Sequence, residues 1–151
     1  MLIKEVETNE EASICDELLT KLIEDEKKYN DNIGGFVAIL DYYPNIYNKE
    51  DNKLFIAKDN DKVVGYIYIK KESTDGLDTN KEYLIDALYV EEEYRNKGIA
   101  TSLINKVKDY CKDNNIKYLN ISVIDSNEKA KSLYSKLGFE VFSLKLKNKV
   151  M

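Results

Sequence analysis

Leu88-Tyr89-Val90-Glu91-Glu92-Glu93-Tyr94-Arg95-Asn96-Lys97-Gly98-Ile99-Ala100-Thr101 decides the fold. The apolar residues up to Val90 read as the end of a strand, and Ile99, Leu103, Ile104, Val107 and Cys111 then recur at helical spacing. A strand that turns abruptly into a helix leaves the first-turn N–H groups unpaired, at the positive end of the helix dipole, where a pyrophosphate can satisfy several at once. Gly98 and Ala100 leave room for close backbone approach, Arg95 and Lys97 add positive charge, and Thr101 is placed to donate one more hydrogen bond. The glycine-lysine-hydroxyl ending of a P-loop and the three-glycine dinucleotide fingerprint are both missing, which disfavours ATP and NAD.

Working outward, Leu2, Ile3 and Val6 suggest a first strand. Thr8 with Glu11 three residues on signals a helix start, and Ile14, Leu18, Leu19, Leu22 and Ile23 carry that helix to about Lys28. From Tyr29 to Asn52 the pattern weakens around Gly34-Gly35, Tyr42, Tyr43, Pro44 and Tyr47, which reads as a short helix between loops. Leu54 to Ala57 and Val63 to Ile69, joined by the Asp59-Asn60-Asp61 turn, predict an antiparallel hairpin, and Tyr83 to Val90 a further strand. Tyr118 to Ile124 is a nearly continuous apolar run, expected to be buried on both faces. Ala130, Leu133, Tyr134 and Leu137 form another helical stripe ended by Gly138, and Phe139 to Leu146 alternates as a closing strand. The order predicts an α/β protein of α+β type: one central mixed sheet with flanking helices, and residues 1–151 as one domain without internal repeat.

Composition narrows the function classes. The 151 residues are 43% hydrophobic and 34% charged with one proline, a globular profile with a densely charged surface. A net charge of -5 argues against a phosphate-backbone partner, so nucleic acid is not expected. Acidic residues interrupt the N-terminus before any apolar leader forms, and no stretch nears the ~20 apolar residues of a bilayer span, so a cytoplasmic, non-membrane chain is expected. With no histidine and only Cys15 and Cys111, the usual zinc spacings and the histidine-based catalytic triads cannot be assembled. No metal is expected, and proton transfer falls to carboxylate, tyrosine or water.

The Arg95-x-x-Gly98-x-Ala100 loop after a strand ending at Val90 resembles the acyl-CoA pyrophosphate loop of the GNAT superfamily, and Asn127 to Phe139 resembles that family's N-x-x-A-x-x-[LF]-Y-x-x-x-G-F signature at every defining position. The resemblance runs along nearly the whole chain. It implies a mostly antiparallel sheet with splayed middle strands and about four flanking helices, and an N-acetyltransferase that moves an acetyl group from acetyl-CoA to a primary amine. It places the pantetheine arm against the backbone of Leu88 and Val90, the pyrophosphate on Arg95, Asn96, Lys97, Gly98, Ile99, Ala100 and Thr101, Asn127 at the cofactor, and Tyr134 near its sulfur. Read from the residues alone, Tyr134 is a core tyrosine with a satisfied hydroxyl and Asn127 a helix N-cap, and it is the flanking signature that favours the functional role for Tyr134. In the favoured role, Tyr134 protonates the departing thiolate, since a phenol of pKa about 10 matches it in basicity.

Asp86 is a conspicuous acid amid apolar neighbours. Buried, it would have a raised pKa and serve as the base; the alternatives are a structural carboxylate and a substrate-ammonium anchor. The implied mechanism is direct attack in a ternary complex, with a backbone N–H near Leu88 stabilising the oxyanion and both cysteines as small core residues. The alternative is a non-catalytic acyl-CoA-binding or sensing module. The acceptor is set by the variable segment between Tyr29 and Asn52 and by loops such as Ser73 to Asn80. Overall acidity, Asp86 and Tyr42, Tyr43 and Tyr47 suit a small cationic amine or a peptide amine, whereas the competing reading makes acidity a solubility feature and the tyrosines packing. One departure stands out: the family often has two strands after its Gly-Phe, where only Glu140 to Met151 remain. The closing strand is therefore single, split, or completed by a partner in a homodimer.

Overall fold

A computed structural model describes residues 1–35, 38–73, 76 and 81–151. Much of the Ser73 to Asn80 loop thus lies outside the described residues. In chain order the elements are β1 (Leu2–Glu5), α1 (Asn9–Glu26), β2 (Asn52–Asp59), β3 (Lys62–Lys71), β4 (Glu82–Val90), α2 (Ile99–Asp113), β5 (Tyr118–Ile121) and α3 (Glu128–Lys136), with single 3-10 turns at Tyr43–Asn45 and Glu92–Tyr94. Helix α1 starts where its cap dictates. The Thr8 hydroxyl accepts from the Glu11 N–H at 3.1 Å, and the Glu11 carboxylate reaches back to the Glu7 N–H at 2.9 Å. Among the described residues, no helix is long and apolar enough to cross a membrane.

The sheet order is β1-β2-β3-β4-β5, antiparallel throughout except for the parallel β4–β5 pair. Helix α1 covers one face through Ala12, Cys15 and Leu18, while α2 covers the other through Leu103, Ile104 and Val107. Central β3 is consequently buried from Val63 to Ile69 on both faces.

Two irregularities shape the region after β4 begins. In the β3–β4 register Tyr68 faces Ala87 and Ile69 faces Ile85, so Asp86 is the extra residue of a β-bulge. The bulge shifts the alternation by one: Tyr83 and Ile85 pack on the α2 side, whereas Ala87 and Tyr89 pack on the α1 side. Further, β5 ends at Ile121 opposite Ile85, so from Asp86 onward β4 continues to Val90 with a strand partner on the β3 side alone. This opening stands where the resemblance places the splay, but it is made by the end of edge strand β5 rather than by two diverging middle strands.

Three sequence expectations fail. The Tyr118 to Ile124 run is not a doubly buried strand: β5 ends at Ile121, sits at the edge of the sheet, and leaves Tyr118 52% exposed. Its apolar residues wait for a neighbour that no other described strand supplies. The closing strand over Phe139 to Leu146 is likewise absent; every residue from Glu140 onward is exposed and outside the sheet. Among the described residues the flanking α-helices number three rather than about four, the described part of Tyr29 to Asn52 holding the 3-10 turn Tyr43–Asn45 in place of the expected short helix.

Candidate active site

The β4-to-α2 turn holds Gly98 at φ 79°, ψ 10°, as a cap that contributes no side chain. A Cβ there would meet nothing within 4 Å, so the left-handed backbone demands glycine and the space above it is open. The first helical hydrogen bond returns from the Ser102 N–H to the Gly98 carbonyl at 3.0 Å, which leaves the N–H groups of Ile99, Ala100 and Thr101 without partners in the helix. The Ile99 side chain is buried against α2's core, so that residue offers only backbone, while Asn96 and Lys97 are exposed.

Arg95 is more constrained than its charge suggests. Its Nε donates to the Val90 carbonyl at 2.8 Å, its Nη2 pairs with Asp25 at 2.7 Å, and its guanidinium lies 5.2 Å from the Tyr89 ring centroid. It clamps the loop to the end of α1 and is half neutralised there, leaving Lys97 as the exposed cation of the loop. Leu88 and Val90 point their side chains into the α2-side core. Their backbone lies on the stretch of β4 that β5 abandons.

Helix α3 packs against the α2-side core through Tyr134 and Leu137. Asn127 caps it, its Oδ1 accepting from the Ala130 N–H at 3.2 Å, so the N-cap reading is realised. Tyr134 is half-buried with its ring edge-on to Phe139 at 6.0 Å. Burial first, and then the negative charge of Glu26, raise its pKa, so the phenol keeps its proton through the neutral range.

On the α1 side the structure corrects the expectation for Asp86. The bulge turns it outward: it is exposed, 3.4 Å from the Lys70 ammonium, rather than buried. It lines a shallow cavity of about 400 Å³ with Leu19, Ala38, Ile39, Leu40 and Tyr42. The wall of that cavity is fixed by buried Asp16, whose carboxylate accepts from the N–H groups of Tyr42 at 3.3 Å and Tyr43 at 2.9 Å. Thr20 adds a second tie, accepting from the Ile39 N–H at 3.0 Å. Tyr43 is fully buried with its hydroxyl 3.0 Å from that of Tyr66, so it packs the turn onto the sheet; among the three tyrosines only Tyr42 lines the cavity.

Sequence reasoning missed Glu26. Helix α1 ends Glu24-Asp25-Glu26 with no cation in its last turn, the wrong sign for a helix C-terminus. Glu24 is answered by Lys27 at 2.7 Å and Asp25 by Arg95 at 2.7 Å. Burial, then the charge of Asp86, raises the pKa of Glu26, and Glu26 in turn acts on Tyr134. Glu26 therefore lies electrostatically between the cavity and the tyrosine. An acidic run at a helix C-terminus was the available signal. Both cysteines are buried, and burial pushes the Cys111 thiol up to about 11, which leaves it protonated and a poor nucleophile.

A mixed sheet whose parallel strand β5 stops short, leaving the last part of β4 open ahead of a helix start with an open glycine cap, defines an α/β fold that can admit an extended ligand along β4. The chain belongs to the acetyltransferase (GNAT) family, whose model matches residues 16–139. It is 26% identical over 99 residues to the uncharacterized N-acetyltransferase MJ1207 of Methanocaldococcus jannaschii, a match covering 66% of this chain and 44% of that protein. It is 34% identical over 92 residues to the L-2,4-diaminobutyric acid acetyltransferase of Shouchella clausii, covering 58% of this chain and 47% of that one. The chain thus spans about half the length of these curated relatives. In fold it superposes on a mutant of the BH1408 protein of Bacillus halodurans with TM-score 0.86 at 23% identity, covering 100% of both chains. It also superposes on the aminoglycoside N-acetyltransferase AAC(6')-Iy in complex with CoA, with TM-score 0.72 at 15% identity and 99% coverage of both chains.

Proposed function

We propose that this chain is a single-domain N-acetyltransferase that moves an acetyl group from acetyl-CoA to a small primary amine by direct attack in a ternary complex. The observation that carries the reading is the end of β5 opposite Ile85, which leaves the last part of β4 without a partner on that side ahead of the open glycine cap of α2. The residues fit acetyl-CoA: the open glycine cap leaves space for a pyrophosphate on the N–H groups of Ile99 to Thr101, and the edge of β4 at Leu88 and Val90, which has no strand partner and of which Arg95 holds the Val90 carbonyl, suits an extended amide arm. Acetyl-CoA supplies an acyl group activated as a thioester.

The chain's own groups do the rest. The cavity against Tyr42 and Asp86 receives the amine, with Asp86 as ammonium anchor, and Glu26 takes the ammonium proton on its carboxylate. The amine nitrogen then forms the bond to the acyl carbon while the carbon–sulfur bond breaks. A backbone N–H of the open β4 edge near Leu88 donates to the oxygen that gains charge, and Tyr134 gives its hydroxyl proton to the leaving sulfur and recovers one from the attacking nitrogen, which must shed its second proton to become a neutral amide. Both carboxylates are exposed, but Asp86 is paired with Lys70 while Glu26 is the group whose proton affinity is raised, so the base role considered for Asp86 passes to Glu26. The acceptor is a small cationic amine, which the two carboxylates and the Tyr42 ring attract; L-2,4-diaminobutyric acid, named for the relative above, is of this chemical type.

Incubation with acetyl-CoA and a panel of primary amines, with released CoA thiol measured, tests the proposal. Turnover with at least one small amine is expected. CoA binding in calorimetry without turnover on any amine would instead make the chain a sensing module, and absence of CoA binding would sink both readings.

A further inference from the structure

Strand β3 sends Tyr66 and Tyr68 to the α1 side of the sheet and Ile67 and Ile69 to the other, so Lys70 is the next residue of the α1-side row, just past the fully buried part of the strand. The bulge in β4 turns Asp86 to meet it, and the Lys70 ammonium lies 3.4 Å from the Asp86 carboxylate. Asp86 lines the cavity of about 400 Å³ that also holds Leu40 and Tyr42. Lys70 lines a second cavity, of about 340 Å³, with Asp51, Asn52, Glu72 and Ser73. One anion and one cation therefore stand where the two cavities meet, with side chains 34% and 42% exposed and open to a ligand.

The other polar groups of the second cavity have their own partners. Glu72 accepts from the Asn120 side-chain amide at 3.0 Å, and Asn52 accepts from the Tyr68 hydroxyl at 2.7 Å. Tyr83, on the α2 side, has its pKa raised by burial first and then by Tyr110 and Asp51, so the charge of Asp51 is felt on that opposite face. An acceptor ammonium that settles on Asp86 has to displace the Lys70 ammonium. A diamine without an anion then leaves Lys70 unpaired beside a second positive charge. An acceptor that also carries a carboxylate exchanges the pair one for one, and no charge loses its partner. Because the two protein groups are 3.4 Å apart, the ligand groups that match them must be close together, as they are on the single carbon of an α-amino acid head.

We infer that Lys70 and Asp86 together read the head group of a diamino acid, with its α-carboxylate on Lys70, its α-ammonium on Asp86 and its side-chain amine as the nucleophile. The inference rests on the acetyl-transfer reading of the first cavity and adds to it a carboxylate site, with Lys70 as the residue that sets specificity. The transfer keeps its balance. The side-chain nitrogen gains the acetyl group as the carbon–sulfur bond breaks, and it sheds two protons, one to Glu26 and one to Tyr134, which supplies the proton of the thiol.

The test reads binding and turnover separately on the full chain. Calorimetry in the presence of CoA compares L-lysine with cadaverine and L-ornithine with putrescine, pairs that differ only by the carboxylate. The acid of at least one pair is expected to bind on the order of 10-fold more tightly than its amine, since only the acid leaves no like charges facing each other. Lys70→Met keeps the stem of a partly exposed side chain and removes its charge, so it is expected to erase that difference, whereas Lys70→Arg retains it. Equal affinity within both pairs, a preference that survives in Lys70→Met, or no saturable binding of either acid overturns the assignment. Released CoA thiol separates this inference from the reading beneath it. Turnover of the diamines as fast as the acids leaves acetyl transfer standing and removes the carboxylate site; binding of the acids that depends on Lys70, without turnover of any amine, keeps the head-group site and removes acetyl transfer.

Discussion

Replacing Glu26 by glutamine should lower activity and raise stability at once. The carboxylate sits at the negative end of α1, partly desolvated and facing the charge of Asp86, and its pKa is raised above the ordinary 4.5 by burial first and Asp86 second. The folded state thus holds a proton on Glu26 more readily than the unfolded chain does. The penalty is therefore absent at low pH and grows as pH rises past the ordinary carboxylate range, so it is fully present at neutral pH. A carboxylate pair in contact with solvent is worth ~0.5 kcal/mol, which for a chain of this size corresponds to about 1–2 °C in Tm. Glu26→Gln should gain that much at pH 7.5 and gain nothing at pH 4. If Glu26 accepts the amine proton, kcat should meanwhile fall on the order of 10²-fold, and the loss of kcat/KM on acidification that reports Glu26 should vanish. Asp86→Asn should keep this limb but move it to lower pH, since the charge that holds the Glu26 proton is gone. Scanning calorimetry at the two pH values, with kcat/KM from pH 5 to 9, supplies the readouts. A variant that melts lower and keeps its acid limb would make Glu26 a structural residue and return the base to another group.

Gly98→Glu should abolish CoA binding in calorimetry, because it adds bulk and negative charge where the first-turn N–H groups are open. Its left-handed backbone adds ~1 kcal/mol of strain, a small drop in Tm that leaves the fold intact. Tyr134→Phe should lower kcat on the order of 10²-fold while CoA affinity holds within about threefold; unchanged kcat with chemistry limiting would return Tyr134 to packing. With a dicationic acceptor, kcat/KM should fall as salt rises from 20 to 500 mM, and an invariant value would remove the cationic-acceptor assignment. Cys111→Ser should leave kcat within about twofold, because a thiol held protonated by burial carries no acyl group.

The sequence by itself determined what depends on local order. The Thr8 cap, the hairpin turn at Asn60, the apolar stripe of α2 and the glycine before it each follow from residues a few positions apart, and each stands where its chemistry puts it. Only the tertiary structure decided what depends on neighbours distant in the chain. The bulge that turns Asp86 outward exists because β3 and β4 fall out of step between Tyr68 and Ile69, a register that neither strand encodes alone. Glu26 acts on Tyr134 only because the fold brings the end of α1, which packs in one core cluster, within electrostatic reach of a residue of α3, which packs against the other. The run at Tyr118 and the alternation after Phe139 were legible as strands, but a strand is completed by its partner. Burial of a period-two pattern is thus set by which edge is left open, and here that edge belongs to the assembled sheet.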